Sequence, residues 1–568
     1  MARRRIPVRT VAEAWLAALK ARGVDYLFAN AGTDFAPVIE ALVRGARDGI
    51  PMPEPVTCAH ETAAVAMAHG HYLATGRPQA VMVHVNVGTA NALMGLLNAS
   101  RDQIPMLFTA GRTPITEHGR LGSRDLPIHW GQEMFDQAGM LRESVRWDYE
   151  LRYPEQVEAV VDRAIARATG APAGPVYVGL PREILAEPID GLTLWEPTRL
   201  AAPTPPSPDP AAVERTADAL AAASTPLVLT ARSGREPGAF DALGALAERF
   251  ALPVVEFWPS QSSLSSEHPM HAGHDPAPWL ESADVVVVLD ALVPWIPSRT
   301  GPRPDCLVVQ TGTDPSFGDL PMRSFPADLA VTTTSAAFIG ALHRALETRL
   351  PAGDARVETR RQGLAPRLAT ARRARREAAA DATAPMTNAY VSRCIDAVKG
   401  DDALVFAELG CDVSVMRFPR SGTFFSHSLA GGLGWGLPAA LGAQLADRDR
   451  LVIACVGDGS YLFANPLACH QAAEALGLPV LTVVFDNARW DAVRKSTLAV
   501  YPDGEAAHAN RLPLVSLAPA PRYAEAVAAC GGHGERVEDP TALPEALARA
   551  VRVVREERRQ ALVDVICR

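Results

Sequence analysis

Gly457-Asp458-Gly459-Ser460, followed downstream by Asp486-Asn487-Ala488-Arg489, decides how this chain is read. The first tetrapeptide ends an unbroken apolar run, Leu451 to Val456, and opens a segment rich in Ala and Leu. Such a run, closed by a turn and a helical pattern, reads as a buried parallel strand feeding a helix. A second apolar run, Pro479 to Phe485, leads straight into Asp486-Asn487. Two strand ends thus deliver an acid and an amide to one edge of a sheet, where open α/β folds bind ligands. Glycines there let backbone approach a phosphate, and a helix start donates free N–H groups to it. The Asp458 carboxylate and the Asn487 amide oxygen are hard donors suited to magnesium held against a diphosphate. A bare Gly-Asp-Gly is more often a turn; the two strands and the downstream asparagine carry the functional reading.

The chain has 568 residues, too many for one core, so several domains are expected. Hydrophobic residues make up 48% and charged residues 21%, which describes an ordinary globular protein. The net charge of −9 argues against nucleic acid or an anionic membrane as main partner. Eight cysteines lie scattered with no C-x-x-C pair, consistent with reduced thiols in a cytoplasm and no zinc or disulfide framework. No apolar run approaches transmembrane length. After Met1-Ala2-Arg3-Arg4-Arg5 no apolar core of a signal peptide follows; Val11 to Arg22 instead reads as an amphipathic helix carrying Glu13 and Lys20.

Three α/β blocks with parallel sheets emerge outward from the motif. The first, residues 1–190, has strand candidates Tyr26–Asn30, Gln79–Asn86, Met106–Ala110 and Pro175–Leu180. A Pro-rich connector, Trp195 to Pro210, reads as a semi-rigid spacer. The second block, residues 211–350, shows strands at Pro226–Thr230, Pro253–Glu256, Val285–Leu289 and Cys306–Gln310. The Arg-rich stretch from Arg360 to Arg376 reads as a solvated helix. The third block, residues 386–568, carries the diphosphate motif. The first and third blocks have similar strand spacing without a residue-level repeat, as a duplicated scaffold would.

In the first block, His60-Glu61-Thr62-Ala63-Ala64 heads a helix of small residues. An acid there can serve the helix dipole or a capping box. Beside the third-block motif, however, the chain resembles the thiamine diphosphate-dependent decarboxylase and acetolactate synthase family. The resemblance runs over nearly the whole chain. It implies pyrimidine-binding, central and diphosphate-binding domains in that order. It implies Asp458, Asn487 and the backbone carbonyl of Arg489 as ligands of Mg2+. Glu61 is then the catalytic glutamate that favours the aminopyrimidine tautomer able to deprotonate the thiazolium carbon, a proton relay in a dry site.

Four stretches are similar to benzoylformate decarboxylase-like enzymes. Asn30-Ala31-Gly32-Thr33 is similar to the loop that sets a hydroxyl by the substrate carboxylate. His84-Val85-Asn86-Val87-Gly88 is similar to the active-site histidine loop. Ala430-Gly431-Gly432-Leu433-Gly434 is similar to the segment holding the aminopyrimidine, with the Gly431 carbonyl as acceptor and Leu433 as the wedge that bends the cofactor. Asn487 to Arg494 is similar to the segment running from metal to pocket. Gly410, Cys411, Gly457, Gly459 and Ser460 fall where diphosphate contacts are expected, with core packing an equal alternative for Cys411.

An imidazole such as His84 can move a proton at a substrate oxygen, or can be a satisfied structural histidine. By the resemblance the pocket is lined by Thr33, His84, Gln132, Ala492, Val493 and Ser496. Gln132 matches the glutamine of acetolactate synthases, whereas His129 reads as structural and His427 as either. Four departures bear on substrate. Asp486 replaces the usual first asparagine, Pro297 stands where benzoylformate decarboxylase has a second histidine, Val493 replaces the glutamate of pyruvate decarboxylases, and Ser496 stands where the benzoylformate enzyme has an aromatic residue. The resemblance therefore implies C–C bond cleavage or formation on a 2-oxo acid, foremost a benzoylformate-type decarboxylase or carboligase. Acetolactate synthase-like ligation and cleavage of a 2-hydroxyacyl-CoA or 2-hydroxyketone stand beside it. It also implies a homodimer or homotetramer with shared active sites; whether FAD or ADP binds the central domain stays open.

Overall fold

The computed structural model describes residues 2–568. Compact packing divides the chain into two units, Met1–Thr204 with Ser428–Arg448, and Pro205–His427 with Asp449–Arg568.

Among its described residues the first unit has eight strands: β1 (Ala2–Ile6), β2 (Tyr26–Ala29), β3 (Glu54–Thr57), β4 (Ala80–Val83), β5 (Met106–Arg112), β6 (Asp148–Glu150), β7 (Pro175–Pro181) and β8 (Leu192–Glu196). β1 and β8 make an antiparallel ribbon. The rest form one parallel sheet in the order β3-β2-β4-β5-β7-β6. The interior strands β4, β5 and β7 are apolar and almost wholly buried, as expected of strands covered on both faces. The strand expected over Gln79–Asn86 stops at Val83, and a helix begins at Val85. The alternation Val83-His84-Val85-Asn86 continues the strand pattern, but Val85 turns the backbone with φ 29°. The Val11–Ala21 helix forms as expected, but it is not a surface helix carrying Glu13. Val11 to Leu19 are all buried, and Glu13, 2% exposed, accepts from the Arg9 N–H at 2.8 Å and faces Arg44 at 3.4 Å.

The helix Glu61–Thr75 is buried from Glu61 through His71. It packs on the helix Gly436–Ala446, a segment far along the chain that belongs to this first unit. Two glycines set the approach. A methyl group at Gly70 would lie 1.9 Å from the Ala439 carbonyl oxygen, and one at Gly442 1.9 Å from that of Met67. Small residues here let two helix backbones touch.

The second unit holds two parallel sheets. β9 (Pro226–Thr230), β10 (Val254–Glu256), β11 (Val285–Leu289), β12 (Leu307–Gly312) and β13 (Leu329–Thr332) run in the order β10-β9-β11-β12-β13. β14 (Leu404–Glu408), β15 (Phe424–Ser426), β16 (Val452–Gly457), β17 (Leu481–Asp486), β18 (His533–Val537) and β19 (Ala561–Ile566) run β15-β14-β16-β17-β19-β18. Counted along the chain, the first and last sheets share one strand permutation, second-first-third-fourth-sixth-fifth. The similarity read from strand spacing is thus a similarity of topology. The Arg-rich stretch lies in the helix Ala355–Ala378, which buries only Val357 and Leu368.

Candidate active site

In the first unit, adjacent parallel strands bring their following loops to one sheet edge. β2 and β4 are neighbours, so the Gly32–Phe35 loop after one meets His84 after the other. Asp34, 3% exposed, stands with Oδ1 2.5 Å from His84 Nδ1. On the ring's other side His84 Nε2 lies 3.2 Å from Gln132 Nε2. The Asp34 hydrogen bond raises the His84 pKa above its ordinary value against the opposing effect of burial. Thr33 is exposed beside this group.

Glu61 is 8% exposed. Its Oε2 accepts from Asn91 Nδ2 at 3.2 Å, and a methyl group at Gly88 would lie 3.2 Å from its Oε1. The helix is capped instead by His60 Nδ1, which accepts from the Thr62 N–H at 3.2 Å. Glu61 is therefore not the capping residue, and its carboxylate faces Gly88 and Asn91 on the helix Val85–Arg101 that follows His84; the histidine loop expected over His84–Gly88 is the start of that helix. Gly431 adopts φ 74°, where glycine is favoured. The next residue, Gly432, is clamped by Asn98, which accepts from its N–H at 3.1 Å and donates to its carbonyl at 2.8 Å. Leu433 follows, half-buried. His129 Nδ1 accepts the N–H groups of Asp125 and Leu126 at 3.2 and 3.3 Å, a structural role.

In the second unit, β16 ends at Gly457 and Asp458 opens the helix Asp458–Phe463, while β17 ends at Asp486. Asp458 accepts from the Gly459 N–H at 2.8 Å through Oδ1; its buried Oδ2 has no partner. Asp486 Oδ1 and Asn487 Oδ1 accept from the N–H groups of Ala488 and Arg489, at 2.9 and 3.1 Å, folding the turn that presents the Arg489 carbonyl. That carbonyl accepts from the Asp491 N–H at 3.0 Å. The glycines are space-makers: a methyl group would lie 2.2 Å from the Trp490 ring at Gly459, 2.6 Å from the Leu409 carbonyl at Gly457, and 2.7 Å from the Phe485 ring at Gly410. Ser460 is buried in the same helix start. The Cys411 thiol packs 3.1 Å from Met416 Sδ against the core. Ala492, Val493 and Ser496 lie exposed on the helix Asp491–Val500, which puts Ala492 and Ser496 on one face. His427 donates its backbone N–H to the Ala407 carbonyl at 3.1 Å, and burial lowers its ring pKa.

Burial, with Asp486 close by, pushes the Asp458 pKa up to about 6. Asp564 on β19, unforeseen in sequence, is pushed up to about 7 by burial and by Asp486. Neither of its oxygens nor the buried Tyr523 hydroxyl has a hydrogen-bond partner, but Asp564 Oδ2 faces the Arg536 guanidinium at 3.7 Å. A buried acid with an orphaned oxygen, such as Asp458, is costly without a cation. Asp458, at a helix N-terminus between two amide-rich turns, therefore fits a divalent ion that carries a diphosphate.

Sequence reading missed Asp34, Asn91, Asn98 and Asp564. Asp34 follows a glycine loop at a strand end, and Asp564 interrupts the apolar run Ala561-Leu562-Val563-Asp564-Val565-Ile566; both were available signals. Asn91 and Asn98 lie on a helix where asparagine announces nothing.

Three parallel sheets with this edge chemistry define an enzyme of the cofactor-binding α/β class. Residues 9–140, 213–342 and 409–565 match the N-terminal TPP binding domain, central domain and C-terminal TPP binding domain of thiamine pyrophosphate enzymes. The chain belongs to the thiamine pyrophosphate enzyme family. It is 27% identical to a sulfoacetaldehyde acetyltransferase of Rhodobacter capsulatus, over 95% of this chain and 92% of that one. It is also 27% identical to a benzoylformate decarboxylase of Pseudomonas aeruginosa, over 86% and 88%. The solved structure of a thiamine diphosphate-dependent 4-hydroxybenzoylformate decarboxylase of Rhodococcus jostii superposes with TM-score 0.78 at 21% identity, covering 98% of this chain and 99% of that one; this likeness is one of fold. No helix among the described residues is long and apolar enough to cross a membrane.

Proposed function

We propose that this enzyme uses thiamine diphosphate and Mg2+ to cleave or form a C–C bond at a 2-oxo acid, as a decarboxylase or carboligase of benzoylformate type. One observation carries the reading. His84, seated on Asp34 and bordered by Gln132, shares a sheet edge with exposed Thr33 and lies in the same unit as Glu61. A hydroxyl to meet a carboxylate, an imidazole to move a proton at the neighbouring oxygen, and a glutamate for cofactor activation are what such a substrate needs. Thiamine diphosphate, when bound, supplies the carbon nucleophile and the electron sink. Glu61 holds or returns a proton at the aminopyrimidine. The Gly431 carbonyl and Leu433 orient that ring, while Gly410, Cys411, Gly459 and Ser460 offer backbone to the diphosphate. Asp458, Asn487 and the Arg489 carbonyl hold the metal. Small, exposed Ala492 and Ser496 leave room for a bulky substituent, and Val493 offers no carboxylate for a pyruvate-type reaction.

Gln132 at His84 favours a second reading, transfer of the cleaved fragment to an acceptor carbonyl as in acetolactate synthases. A panel of 2-oxo acids with cofactor and Mg2+, read for carbon dioxide, aldehyde and acyloin together, separates the two. Aldehyde from aromatic or branched substrates supports decarboxylation, whereas a 2-hydroxy-2-methyl-3-oxo acid from pyruvate supports ligation. No carbon dioxide from any 2-oxo acid overturns both and leaves cleavage of a 2-hydroxyacyl-CoA or 2-hydroxyketone.

We further propose a cytoplasmic homodimer or homotetramer with shared sites, and domain limits at 1–190, 211–350 and 386–568. Glu61 and Asp458 lie on separate units, and each unit exposes apolar side chains near its half, Val87 at 48% and Leu467 at 58%, as interfaces do. Mixing inactive Glu61→Gln and Asp458→Ala chains is expected to restore activity in hybrids. Proven subunit exchange without recovery rejects shared sites.

A further inference from the structure

We infer that Asp34 is a positioning residue for His84: its carboxylate fixes the ring's tautomer and direction, so that Nε2 is the atom presented to substrate. The inference rests on the proposed role of His84 in a 2-oxo acid reaction. A carboxylate only accepts, so the short 2.5 Å contact to His84 Nδ1 requires the proton on that nitrogen. The neutral ring then has its lone pair on Nε2, which faces the Gln132 amide at 3.2 Å. Gln132 Oε1 is buried without a partner. Turning that amide over would bring its oxygen to Nε2, so Gln132 can serve His84 both before and after Nε2 takes a proton.

The surrounding backbone is shaped to this pair. A methyl group at Gly32 would lie 2.2 Å from the His84 ring, and one at Gly111, on β5, 1.6 Å from Asp34 Oδ2. Glycine at both positions keeps the space that the ring and the carboxylate fill. Asp34 Oδ2 also accepts from the Val85 N–H at 3.3 Å. Val85 is β-branched yet adopts φ 29°, a strained conformation that persists where neighbours over-determine it. One carboxylate thus holds both the histidine and the strained residue after it. The charged groups that act on His84 are Asp34 and Glu61, both favouring its protonated form; the other titratable ring nearby, His129, has its own pKa lowered by burial and, in part, by His84. Removing the Asp34 charge removes the larger of the two favourable influences.

The test uses the full-length enzyme loaded with thiamine diphosphate and Mg2+. Asp34→Asn keeps the size and removes the charge. Expected are a fall in kcat of at least about tenfold with KM changed by less than about threefold, and movement of the His84 limb of the pH–rate profile to lower pH. The His84 imidazole nitrogens, assigned by their loss in His84→Gln and followed by NMR, are expected to titrate at lower pH in the variant. Gly111→Ala crowds Asp34 without touching His84 and is expected to move the same limb. In a His84→Gln background, Asp34→Asn is expected to cost nothing further. An unmoved His84 titration in folded, cofactor-loaded Asp34→Asn, or additive losses in the double variant, overturns the inference. If Asp34→Asn does not fold, the Gly111→Ala titration decides. Should the titration move while His84→Gln retains full turnover, the pairing stands, but the positioning role falls together with the proposed reaction role of His84.

Discussion

Glu61 is held at the head of its helix by one side-chain donor, Asn91, and not by the free N–H groups of the helix start. That freedom is what separates it from a capping acid. Glu61→Gln keeps the shape and a hydrogen-bonding oxygen, so folding and cofactor affinity are expected to change little. Turnover at saturating cofactor is expected to drop by at least about 10²-fold, the usual weight of a positioned acid–base group. Steady-state kinetics beside a thermal melt measure both. Asp458 is the complementary case, a buried carboxylate whose Oδ2 has no hydrogen-bond partner. Asp458→Ala is expected to weaken Mg2+-dependent cofactor binding by at least about tenfold, read by calorimetric titration. Unchanged affinity would place the metal elsewhere. At this scale the sequence declared residues that break a pattern: Glu61 among small side chains, Asp458 between glycines. It was silent on Asn91 and Asn98, whose importance comes from tertiary contacts that no local pattern announces.

Among elements, the continuous apolar strands were legible almost to the residue; Val285–Leu289 and Pro226–Thr230 coincide with β11 and β9. The Gln79–Asn86 reading overran because alternation persisted past the turn at Val85, and backbone strain leaves no mark in hydropathy. Short edge strands such as β3 and β6 carry too few buried residues to stand out. The packing of the helices Glu61–Thr75 and Gly436–Ala446 was hidden as well, although its glycines were visible. Gly442→Ala forces a methyl group against the Met67 backbone and is expected to destabilise by about 1–3 kcal/mol or more. Gly363, inside the helix Ala355–Ala378, is the control: a methyl group added there would meet nothing within 4 Å. Gly363→Ala is expected to stabilise by about 0.5–1 kcal/mol. Urea melts of the two variants should move in opposite directions.

For the molecule as a whole, buried histidines couple stability to pH. His470 donates Nδ1–H to Gln560 Oε1 at 2.8 Å, fixed because the Gln560 amide donates to the His470 and Cys530 carbonyls; its Nε2 accepts from the Tyr461 hydroxyl at 2.8 Å. Burial lowers its pKa to about 4. The folded value lies below the unfolded one of about 6.5, so the unfolded chain binds more protons between them. The contribution of His470 is therefore full above about pH 6.5 and lost as pH falls toward 4. The stability of wild type relative to His470→Gln is expected to fall by about 3 kcal/mol across that window, measured by denaturant melts at each pH. A flat difference would show that His470 is protonated in the folded state. The first unit carries another consequence, one of timing. Its helix Glu61–Thr75 is covered by a segment that ends at Arg448, 244 residues after the unit's first stretch closes at Thr204. At the usual ribosomal pace of about 5–20 residues per second, the nascent chain must wait on the order of 10–50 seconds with that apolar helix surface uncovered. That uncovered surface is expected to make the newly made chain a target for chaperones during its own synthesis, and a fragment cut after Thr204 would keep it exposed for good.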